Sequence, residues 1–213
     1  MRRLLALGAL LAAAGGVVAC NQILGYDSAT LDPSIGADAA ASGGDAGADS
    51  GLSCENYCAL VQQNCTVANA EYITTAVCLA MCQQMEPGFV GELPGQDSVK
   101  CREDEAIHAA TDPSHCPAAG PLGGGKCGAD RCNAFCQFVV PFCATSTAPP
   151  YTGQPDCRLE CATYAFDADA GDIQQQQGDT LNCRTYHIEA AYQGGSAINV
   201  HCPHTGKVSA TCN

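Results

Sequence analysis

The chain contains 213 residues, among them 17 cysteines and no tryptophan, and 22 acidic residues against 9 basic ones give it a net charge of −13. An acidic chain of this kind repels nucleic acid and anionic lipid surfaces, so neither is expected as a direct electrostatic partner. From residue 53 onward about one residue in ten is cysteine, which is typical of exported chains whose folds rest on disulfide bonds.

The first 19 residues have the features of a secretory signal peptide: two arginines, a short apolar stretch over Leu4–Ala14 and small residues before Cys20. The segment Val17–Cys20 resembles the lipobox of bacterial lipoproteins, in which the cysteine sulfur receives a diacylglyceryl group and becomes the new N-terminus. Removing Cys20 from the count leaves an even number of cysteines for pairing. Cys20 is therefore the predicted lipid-attachment residue.

Acyl chains on Cys20 would hold the protein on a membrane without a spanning helix. Loss of two arginines with the signal peptide leaves 7 basic against 22 acidic residues, a net charge of −15. Residues 20–51 are dominated by Ala, Gly, Asp and Ser after the anchor, a composition that predicts a disordered tether. Asn21 replaces the aspartate that retains lipoproteins at the inner membrane, so we expect an exported, lipid-anchored protein at the outer membrane rather than the inner one.

The remaining cysteines form two successive sets of eight with nearly the same spacing, displaced from each other by roughly 78 to 86 residues. The first set is Cys54, Cys58, Cys65, Cys78, Cys82, Cys101, Cys116 and Cys127, and the second is Cys132, Cys136, Cys143, Cys157, Cys161, Cys183, Cys202 and Cys212. This internal duplication predicts module one at residues 52–129 and module two at residues 130–213. All sixteen cysteines are predicted to form disulfides.

Each module is predicted to be helical. The first three cysteines of a set stand at i, i+4 and i+11, which places them on one face of a helix, and the next two again stand at i and i+4. A third helix is predicted over Ser98–Ala110 and over Asp179–Tyr192, with Asp179 as the N-cap. The fold class is therefore mainly α: two tandem, disulfide-stapled small helical modules after a disordered tether.

Half of the disulfide pairs follow from the geometry of an antiparallel helical hairpin. Residues that face each other across such a hairpin have residue numbers with a constant sum. This condition is met by Cys54 with Cys82 and Cys58 with Cys78, and in module two by Cys132 with Cys161 and Cys136 with Cys157. The other four cysteines of each module allow three connectivities, and the spacing does not choose among them.

No cofactor, metal site or catalytic residue is predicted. Zinc, iron–sulfur and haem sites use Cys-x-x-Cys spacings that the chain lacks, although thiolates on helices would suit Cu(I). His115 and His201 stand at equivalent positions, but no Ser, Asp or free Cys recurs with them, so they are interpreted as parts of stapled turns. His108 and His187 do not align with each other, so neither indicates a shared site. An enzyme is not expected.

Two further segments resemble ligand-binding loops only in part. Gly120–Cys127 resembles a phosphate-binding loop but has cysteine where the magnesium ligand should stand. Asp167–Asp172 resembles a fragment of a calcium loop but lacks the fifth-position ligand and the distal glutamate. We interpret the first as part of the disulfide framework and the second as a solvated insert.

The lipobox, the Asn21–Tyr26 start, the tether and the duplicated modules together resemble the cysteine-rich lipoproteins that are numerous in myxobacteria. The resemblance implies location and architecture rather than an activity. We expect a non-enzymatic, lipid-anchored cell-envelope protein that binds an unidentified protein or small molecule. The alternatives are Cu(I) binding or storage on thiolates and a purely structural envelope role. A binding surface is expected in the loops that differ between the modules: Glu86–Asp97, Thr145–Gly153 and Phe166–Gly178.

Overall fold

A computed structural model of the chain describes residues 52–168 and 171–213, so the predicted signal peptide, Cys20 and the tether lie outside the described residues. Regular structure in the described ranges is helical, accompanied by two isolated β-bridges. The helices are α1 (Cys54–Asn64), α2 (Thr75–Cys82), α3 (Val99–His108), α4 (Cys116–Ala119), α5 (Arg131–Cys143), α6 (Gln154–Cys161), α7 (Leu181–Ala191) and α8 (Ala197–His201). The predicted fold class, mainly α and stapled by disulfides, is confirmed.

Several helices begin where a short polar side chain accepts a hydrogen bond from a backbone N–H of the first turn. Ser53, Thr74 and Ser98 cap α1, α2 and α3 in this way. The N-cap of α7 is Thr180, which accepts from the Cys183 N–H, and not Asp179 as the sequence suggested. Asp179 turns away because its carboxylate pairs with the Arg184 guanidinium at 2.8 Å.

Two parallel disulfides join the first two helices of each module. Cys54–Cys82 and Cys58–Cys78 link α1 to α2, and Cys132–Cys161 and Cys136–Cys157 link α5 to α6. These are the pairs that the constant sums predict. Because each bond closes a loop of 20 to 29 residues, it removes conformational freedom from the unfolded chain and contributes on the order of 2–4 kcal/mol.

The structure also decides the pairs that the spacing left open. The third cysteine of each set bonds the seventh, and the sixth bonds the eighth. The bonds are Cys65–Cys116, Cys101–Cys127, Cys143–Cys202 and Cys183–Cys212. They fasten the irregular C-terminal part of each module to its helices, and the two modules have the same connectivity.

Each module has a small core around an aromatic residue near the N-terminal end of its first helix. Tyr57 and Phe135 occupy equivalent positions and are both fully buried. The Tyr57 hydroxyl donates to the Ala119 carbonyl at 2.6 Å, which satisfies the polar atom that burial would otherwise leave unpaired. Phe135 instead makes an edge contact with the Tyr151 ring.

The two modules lie in one compact unit. The α6–α7 loop of module two (residues 162–180) contacts the α1–α2 loop of module one (residues 65–74), and we call this contact the seam. The Gly171 N–H donates to the Ala68 carbonyl at 3.4 Å, and the Gln174 amide donates to the Val67 carbonyl at 2.9 Å. The interpretation of Asp167–Asp172 as a solvated insert is wrong at its end, because Gly171 and Asp172 are buried in the seam.

Three buried carboxyl groups lie at or beside the seam. Asp172 accepts from the Leu122 N–H, Glu71 accepts from the Asp172 N–H, and Glu189 on α7 accepts from the Ile73 N–H. One oxygen each of Glu71 and Glu189 has no hydrogen-bond partner among the described residues. A buried charge without compensation is costly, so these groups favour their neutral form.

Burial is the largest influence on all three groups. It raises the pKa of Asp172 to about 7, although hydrogen bonding from Leu122 and the charges of Arg131 and Arg102 act in the opposite direction. Burial and the charge of Asp172 raise the pKa of Glu71 well above its ordinary value. The pKa of Glu189 is raised in the same sense by burial and by the two neighbouring carboxylates.

Substitution of Gly171 tests the seam directly. A Cβ at this position would lie 2.6 Å from the Ala70 carbonyl oxygen, a backbone atom that cannot rotate away. We expect Gly171→Ala to lower the free energy of unfolding by about 1–3 kcal/mol in urea denaturation. Gly153→Ala is the matched control, because its Cβ would meet nothing nearer than 3.9 Å. Equal stability of the two variants would contradict the seam contact.

The raised carboxyl pKa values predict that the protein loses stability at mildly alkaline pH. The folded protein holds these protons more tightly than the unfolded chain, so the free energy of unfolding should fall as pH rises above the ordinary carboxyl range, up to about pH 7 for Asp172 and further for Glu71 and Glu189. Each carboxyl that is protonated in the folded protein but ionised in the unfolded chain contributes up to about 1.4 kcal/mol per pH unit. The lowered pKa values of His187 and His201 have the opposite effect on the free energy of unfolding, but only at pH values below the ordinary pKa of histidine. Measurements between pH 6.5 and 8 therefore isolate the effect of the carboxyl groups.

The variant for this measurement is Asp172→Asn, which keeps an oxygen for the Leu122 N–H and removes the ionisable group. We expect it to flatten the decline and to be more stable than the wild-type protein at pH 8. Asp104→Asn, at a half-exposed position on α3, is the control and should leave the pH profile unchanged. A wild-type stability that rises from pH 6.5 to 8 would contradict the prediction.

Candidate functional site

A long loop between the second and third helices is closed at its base in the same way in both modules. The α2–α3 loop (residues 83–98) is closed by a bridge between Glu86 and Ser98, and the α6–α7 loop by a bridge between Ala165 and Thr180. The Val99 N–H donates to the Glu86 carbonyl at 2.8 Å. The two ends of each loop are therefore held together at its base.

A buried arginine holds the base of each loop. Arg102 is fully buried, pairs with Asp97 at 2.6 Å and donates to the Ser98, Gly120 and Pro121 carbonyls. Arg184 is its counterpart: it pairs with Asp179 and donates to the Thr180 and Cys212 carbonyls. Because the guanidinium has several donors in a fixed plane, one side chain fixes the start of the third helix and the C-terminal part of the module together.

The α2–α3 loop of module one presents apolar side chains to solvent around an open groove. Phe89, Val90 and Leu93 expose 65%, 59% and 74% of their surface. Phe89 and Leu93 line the groove, which has a volume of about 670 Å³. The remaining lining residues also come from this loop and its base: Glu86, Pro87, Gly88, Glu92, Gln96, Asp97 and Ser98.

The carboxylates that line this groove differ in their contacts with the rest of the protein. Asp97 is engaged by Arg102, as described above. Glu92 accepts hydrogen bonds from the Ser98 hydroxyl and the Phe89 N–H, which fixes the turn that carries the apolar residues. Glu86 lines the groove and makes no ion pair with any described residue. The groove therefore combines an apolar surface with uncompensated negative charge from Glu86 and Glu92.

Sequence analysis predicted a binding surface on two other loops as well. Both of these loops pack against the rest of the protein. The α6–α7 loop forms the seam, and its Phe166 ring lies under the Arg131 guanidinium at 4.1 Å. In the α5–α6 loop (residues 144–153), the Thr147 N–H donates to Asn199 and the Tyr151 hydroxyl donates to the Thr205 carbonyl. Of the three predicted loops, Glu86–Asp97 is the one whose large apolar residues are open to solvent.

A second cluster of polar side chains lies where α3 meets the turn before α4, and we call it the module-one corner. His115 Nδ1 lies 2.6 Å from Glu105 Oε2. The centroids of the His108 and His115 rings are 5.2 Å apart. The Lys126 ammonium lies 3.1 Å from Glu105 Oε2 and 3.3 Å from His115 Nδ1. One atom from each of Glu105, His108 and His115 can be chosen so that all three lie within 4.8 Å of one another.

The equivalent module-two corner contains three histidines. His187 Nδ1 lies 2.9 Å from His201 Nδ1, and the His187 ring is stacked on the His204 ring with centroids 4.8 Å apart. Burial, followed by the two neighbouring imidazoles, lowers the pKa of His187 to about 4. His187 is therefore neutral at neutral pH.

Sequence analysis found His115 and His201 but missed their partners. Glu105 and His187 each stand four residues after the sixth cysteine of their module, so they are equivalent positions that differ in residue type. His108 and His187 do not align with each other, but each lies beside the recurring histidine of its module, with ring centroids 5.2 Å apart. A comparison of the two copies by position rather than by residue type would have found these pairs.

The sixteen cysteines that the structure describes are all in disulfides and offer no thiolate. Cys183, His187 and Cys212 lie close enough together to hold a metal ion, but the two sulfur atoms are bonded to each other. The same holds in Gly120–Cys127, where Cys127 is bonded to Cys101 and Lys126 is directed to the module-one corner. In the described ranges, no helix has the length and apolar character needed to cross a membrane.

The comparisons with known proteins give one match. The model of the BfoA family C-terminal domain matches residues 38–131, which is 94 of the 213 residues. No curated protein and no solved structure matches the chain. The similarity to the BfoA family domain thus covers module one and the end of the segment before it, and ends at the first residue of α5.

Proposed function

We propose that the protein is a non-enzymatic, lipid-anchored component of the cell envelope that binds a partner through the α2–α3 loop of module one. The observation that carries this proposal is the open groove with Phe89 and Leu93 exposed at its edge. Large apolar side chains concentrated on one short loop favour a recognition surface over a solvated turn. The disulfides and the buried Arg102 hold the base of the loop, which lowers the entropy lost on binding.

The groove favours a partner of a particular chemistry. An apolar side chain of the partner would contact Phe89 and Leu93, and a neighbouring lysine or arginine would lie near Glu86 and Glu92. The net charge of −13 favours such a basic partner and accelerates its association at low ionic strength. We therefore propose a basic protein segment with an exposed apolar anchor.

The membrane location belongs to the same proposal. The lipobox-like segment ending at Cys20 and the resemblance to myxobacterial cysteine-rich lipoproteins support export and lipid attachment, and Asn21 supports the outer membrane. The tether would then hold the groove away from the lipid surface.

The alternative functions differ in what they require of the cysteines. Storage of Cu(I) on thiolates would require reduction of the bonds that staple the helices, because all sixteen described cysteines are paired. A purely structural envelope role gives no reason for exposed apolar residues around a groove.

Removal of the apolar residues tests the binding surface. We expect Phe89→Ser combined with Leu93→Ser to reduce capture of the partner from envelope extracts by at least about tenfold, because buried apolar anchors carry much of the free energy of an interface. Capture by the wild-type protein should also weaken as salt is raised, because the partner is basic.

Val208→Ser is the matched control, since Val208 is 93% exposed and lies outside this loop. Both variants should keep the wild-type stability, as surface substitutions usually change it by less than about 0.5 kcal/mol. Equal capture by the loop variant and the wild-type protein would reject the groove as the binding surface.

Substitution of the lipid-attachment residue tests the location. We expect Cys20→Ser to appear in the soluble envelope fraction, because the acyl chains that would hold the protein on the membrane are then absent. Asn21→Asp is the matched control: it should remain membrane-bound but shift toward the inner membrane. A Cys20→Ser variant that still requires detergent for extraction would contradict lipid attachment at this residue.

A further inference from the structure

We propose that the module-one corner binds a divalent transition-metal ion through Glu105, His108 and His115, in competition with the Lys126 ammonium. This inference is independent of the groove. A carboxylate and two imidazoles form a donor set that suits Zn²⁺, Cu²⁺ and Ni²⁺, and a site with three protein ligands leaves a position for water.

The geometry is close to that of a bound site. Glu105 Oε2 and His115 Nδ1 are already in contact at 2.6 Å. One ligand atom from each of Glu105, His108 and His115 can be chosen so that all three lie within 4.8 Å of one another. Ligand atoms around a tetrahedral zinc, with bonds of about 2.0–2.1 Å, are roughly 3.4 Å apart. His108 stands one helical turn after Glu105 on α3 and is exposed, so its ring can move the remaining distance without disturbing the core.

The position of Lys126 indicates where a cation is favoured. Its ammonium lies beside both the carboxylate oxygen of Glu105 and Nδ1 of His115, at 3.1 Å and 3.3 Å. Lys126 is 57% exposed, so its side chain can leave without creating a cavity. A metal ion would therefore replace one positive charge with another at the same point, and removing Lys126 should favour the metal.

The electrostatics of Glu105 support this exchange. Burial alone would raise the pKa of Glu105, but hydrogen bonds from His115 and Lys126 outweigh burial, so the pKa lies below its ordinary value. Glu105 is thus a carboxylate at neutral pH. Metal binding requires ligand atoms that carry no proton, so the affinity should fall as pH is lowered.

The module-two corner explains why the two copies would differ. His187 replaces Glu105, Ala190 stands at the position of His108, and Thr211 stands at the position of Lys126. The module-two corner thus has histidines but no carboxylate at these positions, and its His187 is buried. The module-one corner alone has the charged donor and the exposed third ligand.

The test is Zn²⁺ binding to the full oxidised protein at pH 7.5, measured by competition with a chromophoric chelator. We expect one Zn²⁺ site that His108→Ala weakens by at least about tenfold, in line with the effect of losing a supporting group at metal sites. We expect Lys126→Met to strengthen binding several-fold, and the wild-type affinity to fall by at least tenfold at pH 5.5, because protons compete with the metal ion for the ligand atoms.

Lys100→Met is the matched control, because it removes the same charge from α3 next to Asp104 without vacating the corner. It should change the affinity less than Lys126→Met does. The proposal is overturned if the wild-type protein binds no Zn²⁺ at millimolar concentration, if His108→Ala binds as tightly as wild type, or if the two lysine variants behave alike. Circular dichroism of each variant checks that the helices are intact, and His108 and Lys126 are exposed enough for both substitutions to be tolerated.

Discussion

The paired disulfides between the first two helices of each module are the constraint on which the remaining structure depends. They hold α1 against α2 and α5 against α6, so that short helices with small apolar faces become stable. The other two bonds then attach the irregular C-terminal part to this hairpin. A module of about 80 residues buries little apolar surface, and the covalent bonds replace part of the core that it lacks. Residues outside the framework are left free to vary.

The variation between the copies lies mainly in their loops. Both long loops are closed at the base by a bridge and by a buried arginine, but the loop of module two folds against module one while the loop of module one remains open. The seam contains carboxyl groups that favour their protonated form, which makes the contact between the modules sensitive to pH. One copy of the loop has thus become part of the interior, whereas the other presents apolar residues to solvent.

The two corners have diverged in a similar way. Equivalent positions hold a carboxylate, an imidazole and an ammonium in module one, and neighbouring imidazoles in module two. The arrangement in module one keeps the Glu105 carboxylate, a charged metal-ligand group, near solvent. In the second, burial lowers the pKa of His187 to about 4, so His187 is neutral at neutral pH. The disulfide framework keeps both corners in place, so a change of residue type changes the chemistry without changing the geometry.

The cysteine spacing by itself determined the duplication, the helical class and half of the disulfide pairs, because helical periodicity and hairpin symmetry are local properties of the chain. It did not determine the partners of Cys65, Cys101 and their counterparts, since several closures of the irregular segments are equally compatible with the spacing. Nor did it show that Asp172 is buried, that Thr180 rather than Asp179 caps α7, or that Glu105 faces His115. Each of these depends on which segments pack against each other at long range, and only the tertiary structure decided that.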